Sequence, residues 1–215
     1  AKRHYISVIM ASEIPFVRDL TFDYGKVDQV TPLIRRVIAK NPGPFTFHGT
    51  GTYIVGHGNV AVIDPGPLVD SHVDALLAAV ANETVTHILI THTHRDHSPA
   101  AKPFKRVTGA PSYAQGPHSL GTTWSHLDQH ESHGADLDFQ PDHAVRDGDI
   151  IAGDGWTLEA VHTPGHTNNH LCFALLEESV LFSGDHVMGW STTVVSPPDG
   201  DMRDYIKSCR KLLER

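Results

Sequence analysis

The sequence His-Thr-His-Arg-Asp-His at residues 92–97 places three imidazoles and one carboxylate within six consecutive positions. It follows the apolar run His-Ile-Leu-Ile at residues 87–90, which predicts a short buried strand, and Thr91 begins the loop that leaves this strand. On such a loop the side chains can point toward one centre. Imidazole and carboxylate are ligands that Zn²⁺, Fe²⁺ and Mn²⁺ accept. The stretch therefore predicts a metal site, and the alternative is a polar turn that is rich in histidine.

Two further predicted strands end in side chains of the same kinds. The apolar strand at residues 157–161 runs into a His-Thr-Pro-Gly-His-Thr segment, in which the Pro-Gly turn directs His166 outward. The strand at residues 179–182 ends in a Ser-Gly-Asp turn that delivers the carboxylate of Asp185. Three strands that each end in a candidate ligand predict one site along the edge of a sheet.

The order of these three motifs resembles the metallo-β-lactamase superfamily. The resemblance extends from about residue 41 to the end, and Val-Ala-Val-Ile-Asp-Pro-Gly-Pro at residues 60–67 resembles an early strand of that family with its Asp-Pro-Gly turn. Residues 41–47 and 163–170 most resemble the lactamase-β-like branch, which includes endoribonucleases and lies near the glyoxalase II thioesterases. The resemblance implies an α/β fold, an αββα sandwich of two mixed β-sheets flanked by helices, in a single domain over residues 1–215.

The resemblance also implies two divalent metal ions, with zinc expected and iron or manganese as alternatives. A hydroxide shared between the metals would be the nucleophile, because coordination lowers the pKa of water from about 15.7 to about 7. Asp96 would orient this hydroxide as a catalytic residue. The implied ligands are His92, His94 and His166 for the first metal, Asp96 and His97 for the second, and Asp185 for both.

Two other residues are expected beside the ligands. Asp64 ends the early strand, and by resemblance it lies beneath the metal loop and braces it by hydrogen bonds, although a simple turn would also use an Asp-Pro-Gly sequence. His170 precedes the predicted strand at residues 171–175. It is expected either to hydrogen-bond a metal ligand or to have a structural role.

One expected ligand is missing from the sequence. Relatives supply a further imidazole to the second metal from a turn well beyond the Ser-Gly-Asp motif, whereas this sequence has only His186 after Asp185. Residues 201–215 predict a helix that Asp199 or Asp201 could cap. In the family this helix precedes the strand that carries the last ligand, so we expect the sequence to lack the C-terminal part and to bind the second metal weakly. The predicted apolar face of the helix contains Met202, Tyr205, Ile206, Cys209, Leu212 and Leu213.

The composition predicts a globular protein of the cytoplasm. No apolar stretch reaches the roughly 18 residues that a membrane span needs. No long apolar segment follows the basic start, so we expect a secretory signal to be absent or already removed. The two cysteines, Cys172 and Cys209, suit a reducing compartment. The formal net charge of −8 argues against a broad nucleic-acid surface but leaves a local basic groove open. The sequence also leaves open whether the protein forms a homo-oligomer.

Seventeen histidines exceed what the metal motifs require. The polar stretch at residues 116–142 contains Trp124 and Phe139 and is a candidate lid insertion over the metal edge. A solvated, partly mobile face is the expectation for its histidines, and a separate metal patch is the alternative. The histidines in and beside this stretch are His118, His126, His130, His133 and His143.

The predicted function is a metal-dependent hydrolase of an ester, thioester, lactone, β-lactam or phosphodiester, so the partner is a small-molecule substrate or RNA. All of these substrates place a charged oxygen in the transition state, and the metal motif cannot choose among them. Lys102, Lys105 and Arg106 could meet a phosphate or form a solvated helix face. Two alternatives remain: a mononuclear iron enzyme that resembles the persulfide dioxygenases, and a truncated metal-binding domain with little or no activity.

Overall fold

The computed structural model describes residues 14–120 and 134–215, and within them the chain forms two β-sheets and three helices. The first sheet contains β1 (Val27–Gln29), β2 (Ile34–Ile38), β3 (Gly51–Val55), β4 (Asn59–Ile63), β5 (Thr84–Leu89), β6 (Ser112–Ala114) and β7 (His143–Ala144). The second sheet contains β8 (Ile150–Ala152), β9 (Thr157–His162), β10 (Leu171–Leu175) and β11 (Val180–Phe182). The helices are α1 (Asp70–Ala79), α2 (Ala101–Thr108) and α3 (Met202–Leu213).

The two sheets differ in strand direction. The first is mixed, because β1 to β4 pair antiparallel and β4 to β7 pair parallel in sequence order. The second follows the order β11-β10-β9-β8, and its described pairs are all antiparallel. Short connections join the neighbours of the second sheet, which permits antiparallel but not parallel pairing. The predicted α/β sandwich is confirmed, with one mixed and one antiparallel sheet.

The central strand β4 shows how the layers hold together. Ala61 and Ile63 pack into the core between the two sheets, whereas Val60 and Val62 pack into the core beneath α1 and α2. Side chains alternate between the faces of a strand, so a strand covered on both sides is apolar at every position. This explains why residues 60–63 are all apolar. The packing of both faces also determines the direction in which the chain leaves β4 at Asp64.

The side of helix α3 that is buried differs from the predicted apolar face. Met202, Ile206 and Leu213 of the predicted apolar face are 54%, 44% and 85% exposed, whereas Ser208 is buried. The reason is a close backbone approach, because a Cβ atom on Gly165 would lie only 2.3 Å from the Cα atom of Tyr205. The helix therefore packs on its Tyr205 and Ser208 side. The Asp201 cap is as predicted, since its side chain accepts from the backbone N–H groups of the first turn.

Within residues 14–120 and 134–215, no helix combines the length and the apolar character that crossing a bilayer requires.

His72 of α1 makes the stability of the fold depend on pH. The side chain is 2% exposed, and burial lowers the pKa of its imidazole from 6.5 to about 4. Protons therefore bind preferentially to the unfolded chain, so the stability from this residue is complete above pH 6.5 and is lost as the pH falls toward 4. The loss is on the order of 3 kcal/mol.

We expect the His72→Gln variant to lose less stability than the natural sequence between about pH 7 and about pH 4.5, as measured by urea unfolding. The variant removes the titrating group but keeps a side chain that can reach the Thr52 hydroxyl, which lies 3.0 Å from the His72 Nε2 atom. Equal losses of stability in the two proteins would contradict this account.

Candidate metal centre

Loops after β5, β9 and β11 bring the predicted ligands to one edge of the sandwich. Two of these loops depend on glycine. Gly165 has φ +143°, and the backbone of α3 fills the space where a side chain would lie. Gly184 has φ +48°, and a Cβ atom there would lie 2.7 Å from His170 Nε2 and 2.8 Å from Thr91 Oγ1. The glycines of the Pro-Gly-His and Ser-Gly-Asp turns therefore permit the contacts that aim His166 and Asp185.

The first cluster contains three imidazoles and one carboxylate. His94 Nδ1 lies 3.0 Å from His92 Nε2 and 3.0 Å from His166 Nε2. Asp185 Oδ2 is 3.6 Å from His166 Nε2. A tetrahedral zinc ion with bonds of about 2.0 Å separates its ligand atoms by about 3.3 Å, so the observed spacing is close to that of a four-ligand zinc site.

The second cluster shares one residue with the first. His97 Nε2 lies 3.3 Å from Asp96 Oδ2 and 3.3 Å from Asp185 Oδ1. The two oxygens of Asp185 thus face different clusters, Oδ1 toward His97 and Oδ2 toward His166. Within each cluster the possible ligand atoms all lie within 4.8 Å of one another. The structure therefore brings together all six residues that the sequence predicted as ligands.

The outward nitrogens of the imidazoles have acceptors that fix their tautomers. His166 Nδ1 lies 2.6 Å from the backbone oxygen of Val194, and His97 Nδ1 lies 2.8 Å from Asp64 Oδ2. His92 Nδ1 lies 3.1 Å from Thr91 Oγ1. With a proton held on each of these Nδ1 atoms, each Nε2 faces a cluster, which is the orientation of metal-binding histidines in general.

Burial and charge set the protonation states of the two clusters differently. Burial lowers the pKa of His94 to about 4 and that of His92 well below 6.5, so both imidazoles are neutral near pH 7. Burial alone would lower the pKa of His97, but the carboxylates of Asp96 and Asp185 outweigh it and raise this pKa well above 6.5. The second cluster therefore favours positive charge, which a divalent cation would supply.

Asp64 lies where the resemblance predicted it, beneath the metal loop. Its carboxylate accepts from the Thr91 backbone N–H at 2.8 Å, from the Thr91 hydroxyl at 2.7 Å and from His97 Nδ1 at 2.8 Å. Its backbone has φ +50°, a conformation that non-glycine residues rarely adopt outside Asn and Asp. The residue fixes the loop and the direction of His97.

His170 packs against a predicted ligand rather than bonding to one. Its ring stacks on that of His92, with centroids 5.1 Å apart at 28°, and its Nδ1 lies 2.9 Å from Thr163 Oγ1. Among the described residues its Nε2 has no hydrogen-bond partner. Of the two expected roles, the structure favours the structural one.

The candidate lid at residues 116–142 is described only in part, because residues 121–133 lie outside the described residues. His126, His130 and His133, for which a solvated face was expected and a metal patch was the alternative, lie in that gap. The segment that follows it pairs with the metal loop, through the Arg95 N–H to Gly134 O at 2.8 Å and the Asp136 N–H to Thr93 O at 2.7 Å.

Two residues next to the first cluster were given other roles by the sequence, since His118 was expected on a solvated face, which its burial contradicts. His118 is buried, and its Nε2 lies 3.2 Å from Asp199 Oδ1, while Asp199 Oδ2 lies 4.0 Å from the outward Nε2 of His94. Asp199 was predicted only as a possible helix cap. Because His118 and Asp199 are far apart in the sequence and belong to no motif, no spacing could have paired them.

A cavity of about 490 Å³ opens beside the second cluster. Asp96, His97 and Asp185 line its floor, and the rings of Phe47 and Trp190 stack in its wall with centroids 5.0 Å apart at 15°. Among the described lining residues, histidines aside, Arg36 is the one basic side chain, and it pairs with Asp28 at 3.2 Å. Lys102, Lys105 and Arg106 do not line the cavity.

Comparisons with known proteins agree with this geometry. A protein-family sequence model described as "Metallo-beta-lactamase superfamily" matches residues 46–215. Atrochrysone carboxyl ACP thioesterase AgnL7 of Paecilomyces divaricatus is 34% identical over 192 residues, which are 86% of this chain and 53% of the relative. The chain therefore spans about half the length of the curated relatives that it matches.

Two solved structures share the fold. A beta-lactamase domain protein from Burkholderia ambifaria has a TM-score of 0.67 at 19% identity, over 90% of this chain and 67% of the other. TTHA1623, described in a di-iron-bound form, has a TM-score of 0.61 at 25% identity, over 83% of this chain and 85% of the other.

Proposed function

This chain belongs to the metallo-β-lactamase superfamily, and from that premise we propose that it is a metal-dependent hydrolase that cleaves an acyl thioester. Water adds to the thioester carbonyl, the C–S bond breaks, and the products are a carboxylic acid and a thiol. The observation that carries the proposal is the position of Asp185, whose two oxygens face two clusters of ligand atoms.

The donor sets fit two divalent cations. Neutral imidazoles and a carboxylate suit zinc in the first cluster, and iron or manganese are alternatives. When bound, the cations supply Lewis acidity to the scissile carbonyl and lower the pKa of a water molecule. The second cluster has one imidazole and two carboxylates among the described residues, so we expect it to bind more weakly than the first. The first cation would be held by His92, His94 and His166, the second by Asp96 and His97, and both by Asp185.

Asp96 is proposed as the catalytic residue. Burial alone would raise the pKa of its carboxyl group, but the neighbouring His97 holds this pKa below its usual range, so Asp96 stays ionised. It lines the floor of the cavity, and Thr50 Oγ1 donates to its Oδ2 at 3.2 Å, which fixes the side chain. A carboxylate held in this way accepts a hydrogen bond from the attacking water and orients it toward the substrate.

A thioester is favoured over a phosphodiester for two reasons. The relative at 34% identity is named as a thioesterase, not as an endoribonuclease. The cavity also offers a phosphate little positive charge, because Arg36 is paired with Asp28 and Lys105 forms an ion pair with Asp142 elsewhere. Recognition of RNA depends on unpaired basic side chains that contact its phosphates. The proposed substrate is therefore an acyl group carried by a small thiol or by a carrier protein.

The test uses the purified chain loaded with zinc. N-acetylcysteamine thioesters, bis(p-nitrophenyl) phosphate and a chromogenic cephalosporin are compared by kcat/KM. We expect the preferred thioester to exceed the other two substrates by at least about a hundredfold. The His94→Ala variant, which lacks a donor to the first cation, should lose this activity together with metal.

Three outcomes would contradict the proposed function. The first is that bis(p-nitrophenyl) phosphate or the cephalosporin is cleaved as fast as every thioester. The second is that the His94→Ala variant cleaves thioesters without bound metal. The third is that the iron-loaded protein consumes oxygen with a persulfide but cleaves no thioester. The last outcome would favour the persulfide dioxygenase alternative.

A further inference from the structure

The cavity beside the second cluster has walls of a different chemical character from its floor, and we propose that it is an acyl-binding chamber that selects thioesters with a bulky, uncharged, preferably aromatic acyl group. This inference rests on the thioesterase function proposed above and adds the class of acyl group to it. The thioester carbonyl would lie at the floor, next to Asp96 and Asp185, and the acyl group would extend along the walls.

The first support is a concentration of exposed apolar side chains around the cavity. Scattered exposed apolar residues are normal on a protein surface, but a contiguous group usually marks a binding site. These residues come from four separate parts of the chain, so their grouping is produced by the fold and not by one apolar segment. The exposed apolar side chains that line the cavity are Val17, Leu20, Val30, Phe45, Leu181 and Val187.

The second support is that the walls are tied together by hydrogen bonds. The Val17 N–H donates to the Gly189 carbonyl at 2.7 Å, and Arg18 Nε donates to the Trp190 carbonyl at 3.3 Å. On the other side, the Tyr24 hydroxyl donates to the His48 carbonyl at 2.7 Å. A chamber that is already formed costs little ordering of the protein when a ligand binds.

The third support is the placement of the aromatic pair. Phe47 has φ +53°, which is an uncommon and strained conformation for a residue with a large side chain. In this conformation its ring stacks on Trp190 at 5.0 Å in the cavity wall. Backbone strain of about 1–3 kcal/mol persists only where the surrounding contacts hold the residue in that conformation. A flat aromatic wall gives favourable stacking to an aromatic acyl group.

Charge and size complete the description of the acyl group. The cavity volume of about 490 Å³ falls within the range of roughly 300–1,000 Å³ typical of small-molecule sites. The Arg36 guanidinium is paired with Asp28, so the described walls offer no unpaired lysine or arginine to an acyl group that ends in a carboxylate. A short acyl group such as acetyl would leave the apolar walls in contact with water. The chamber thus favours large neutral acyl groups.

The experiment measures kcat/KM of the zinc-loaded chain for the acetyl, hexanoyl, benzoyl and 2-naphthoyl thioesters of N-acetylcysteamine. We expect the 2-naphthoyl thioester to exceed the acetyl thioester by at least about a hundredfold. The Val30→Trp variant fills the chamber from an exposed position, and it should lower kcat/KM for the 2-naphthoyl thioester by about tenfold or more and reduce the preference for 2-naphthoyl over acetyl. Val107→Trp, on the exposed face of α2 outside the cavity, is the matched control and should change neither value.

A binding measurement separates this inference from the proposed function. The neutral probe 2-acetonaphthone carries no cleavable bond, and its binding to the metal-free chain is measured by equilibrium dialysis. We expect binding that Val30→Trp weakens, that Phe45→Ala weakens by about threefold, and that Val107→Trp leaves unchanged. Phe45 is exposed, so its removal creates no buried cavity and the variant should fold.

The outcomes are distinguishable. If no thioester is cleaved but the probe binds with the expected pattern, the thioesterase proposal fails and the apolar chamber stands. If thioesters are cleaved but acetyl is preferred, the chamber is overturned and the thioesterase proposal stands. An affinity for 2-acetonaphthone that is the same in Val30→Trp, in Phe45→Ala and in the unsubstituted chain would also contradict the proposed chamber.

Discussion

Replacing Asp185 by alanine is expected to remove both metal ions from the protein and to abolish hydrolysis. Its Oδ1 lies 3.3 Å from His97 Nε2 and its Oδ2 lies 3.6 Å from His166 Nε2, so one substitution takes a donor from each cluster. The loss also leaves fewer negative charges to offset two dications. Because removing even an outer partner of a ligand costs about 10-fold to 100-fold in metal affinity, we expect at least about a hundredfold loss at each site.

This prediction is checked by elemental analysis after dialysis and by calorimetric titration with zinc. The matched control is Asp74→Ala, because Asp74 is an exposed carboxylate of α1 outside both clusters. The control should hold as much zinc as the natural sequence and cleave thioesters at the same rate. An Asp185→Ala protein that still holds two ions per chain would show that this carboxylate does not bridge them.

The Asp64→Asn substitution is expected to impair the second metal site while the fold is preserved. The natural carboxylate accepts from His97 Nδ1 at 2.8 Å, which keeps a proton on Nδ1 and leaves His97 Nε2 free to face Asp96 and Asp185. The amide nitrogen of Asn donates instead, so the proton would move to Nε2 and block its lone pair. Asn tolerates the φ of +50° at this position, and its amide oxygen can still accept from the Thr91 N–H.

We expect zinc affinity at the second site to fall by about 10-fold to 100-fold, with the first site less affected. Zinc titration measures the affinities, and ¹⁵N NMR of the imidazoles reports the tautomer of His97. Asp74→Asn serves as the control for the loss of one negative charge. Unchanged affinity at the second site, together with a proton that remains on His97 Nδ1, would contradict the role assigned to Asp64.

The clustering of the six candidate ligands was predictable because each of them belongs to a short motif next to a strand. The six residues from 92 to 97 lie in one loop, and the Pro-Gly-His and Ser-Gly-Asp turns each fix one side chain through local backbone geometry. The strands themselves were predictable from continuous apolar runs such as residues 60–63. Local sequence therefore contained both the elements and the chemistry at their ends.

The residues around the ligands were not predictable, since they come from distant parts of the chain. The acceptor of His166 Nδ1 is the backbone oxygen of Val194, which has no side-chain signature. The pair of His118 and Asp199 and the stack of Phe47 on Trp190 likewise depend on tertiary packing. For the same reason the periodicity of α3 placed Tyr205 correctly on the packed side but wrongly placed there the exposed residues Met202, Ile206 and Leu213. The position of that helix is set by the close approach at Gly165.

The narrower resemblance to the endoribonuclease or glyoxalase II branch rested on two short segments near residues 41–47 and 163–170. The second segment contains the candidate ligand His166, and Asn41 of the first hydrogen-bonds Thr50, whose hydroxyl donates to Asp96, so both segments belong to the candidate metal site. The side chains that we propose to contact the acyl group lie instead in the walls of the cavity, which the sequence did not reveal. This is why the reaction type was easier to predict than the substrate.

The most direct test of the account is a diffraction experiment at the zinc absorption edge on crystals of the chain grown with zinc. We expect two anomalous peaks about 3.5–4 Å apart, one among His92, His94 and His166 and the other beside Asp96 and His97, with Asp185 between them. A map without a peak at the three histidines, or with its zinc peaks only at surface histidines, would contradict it.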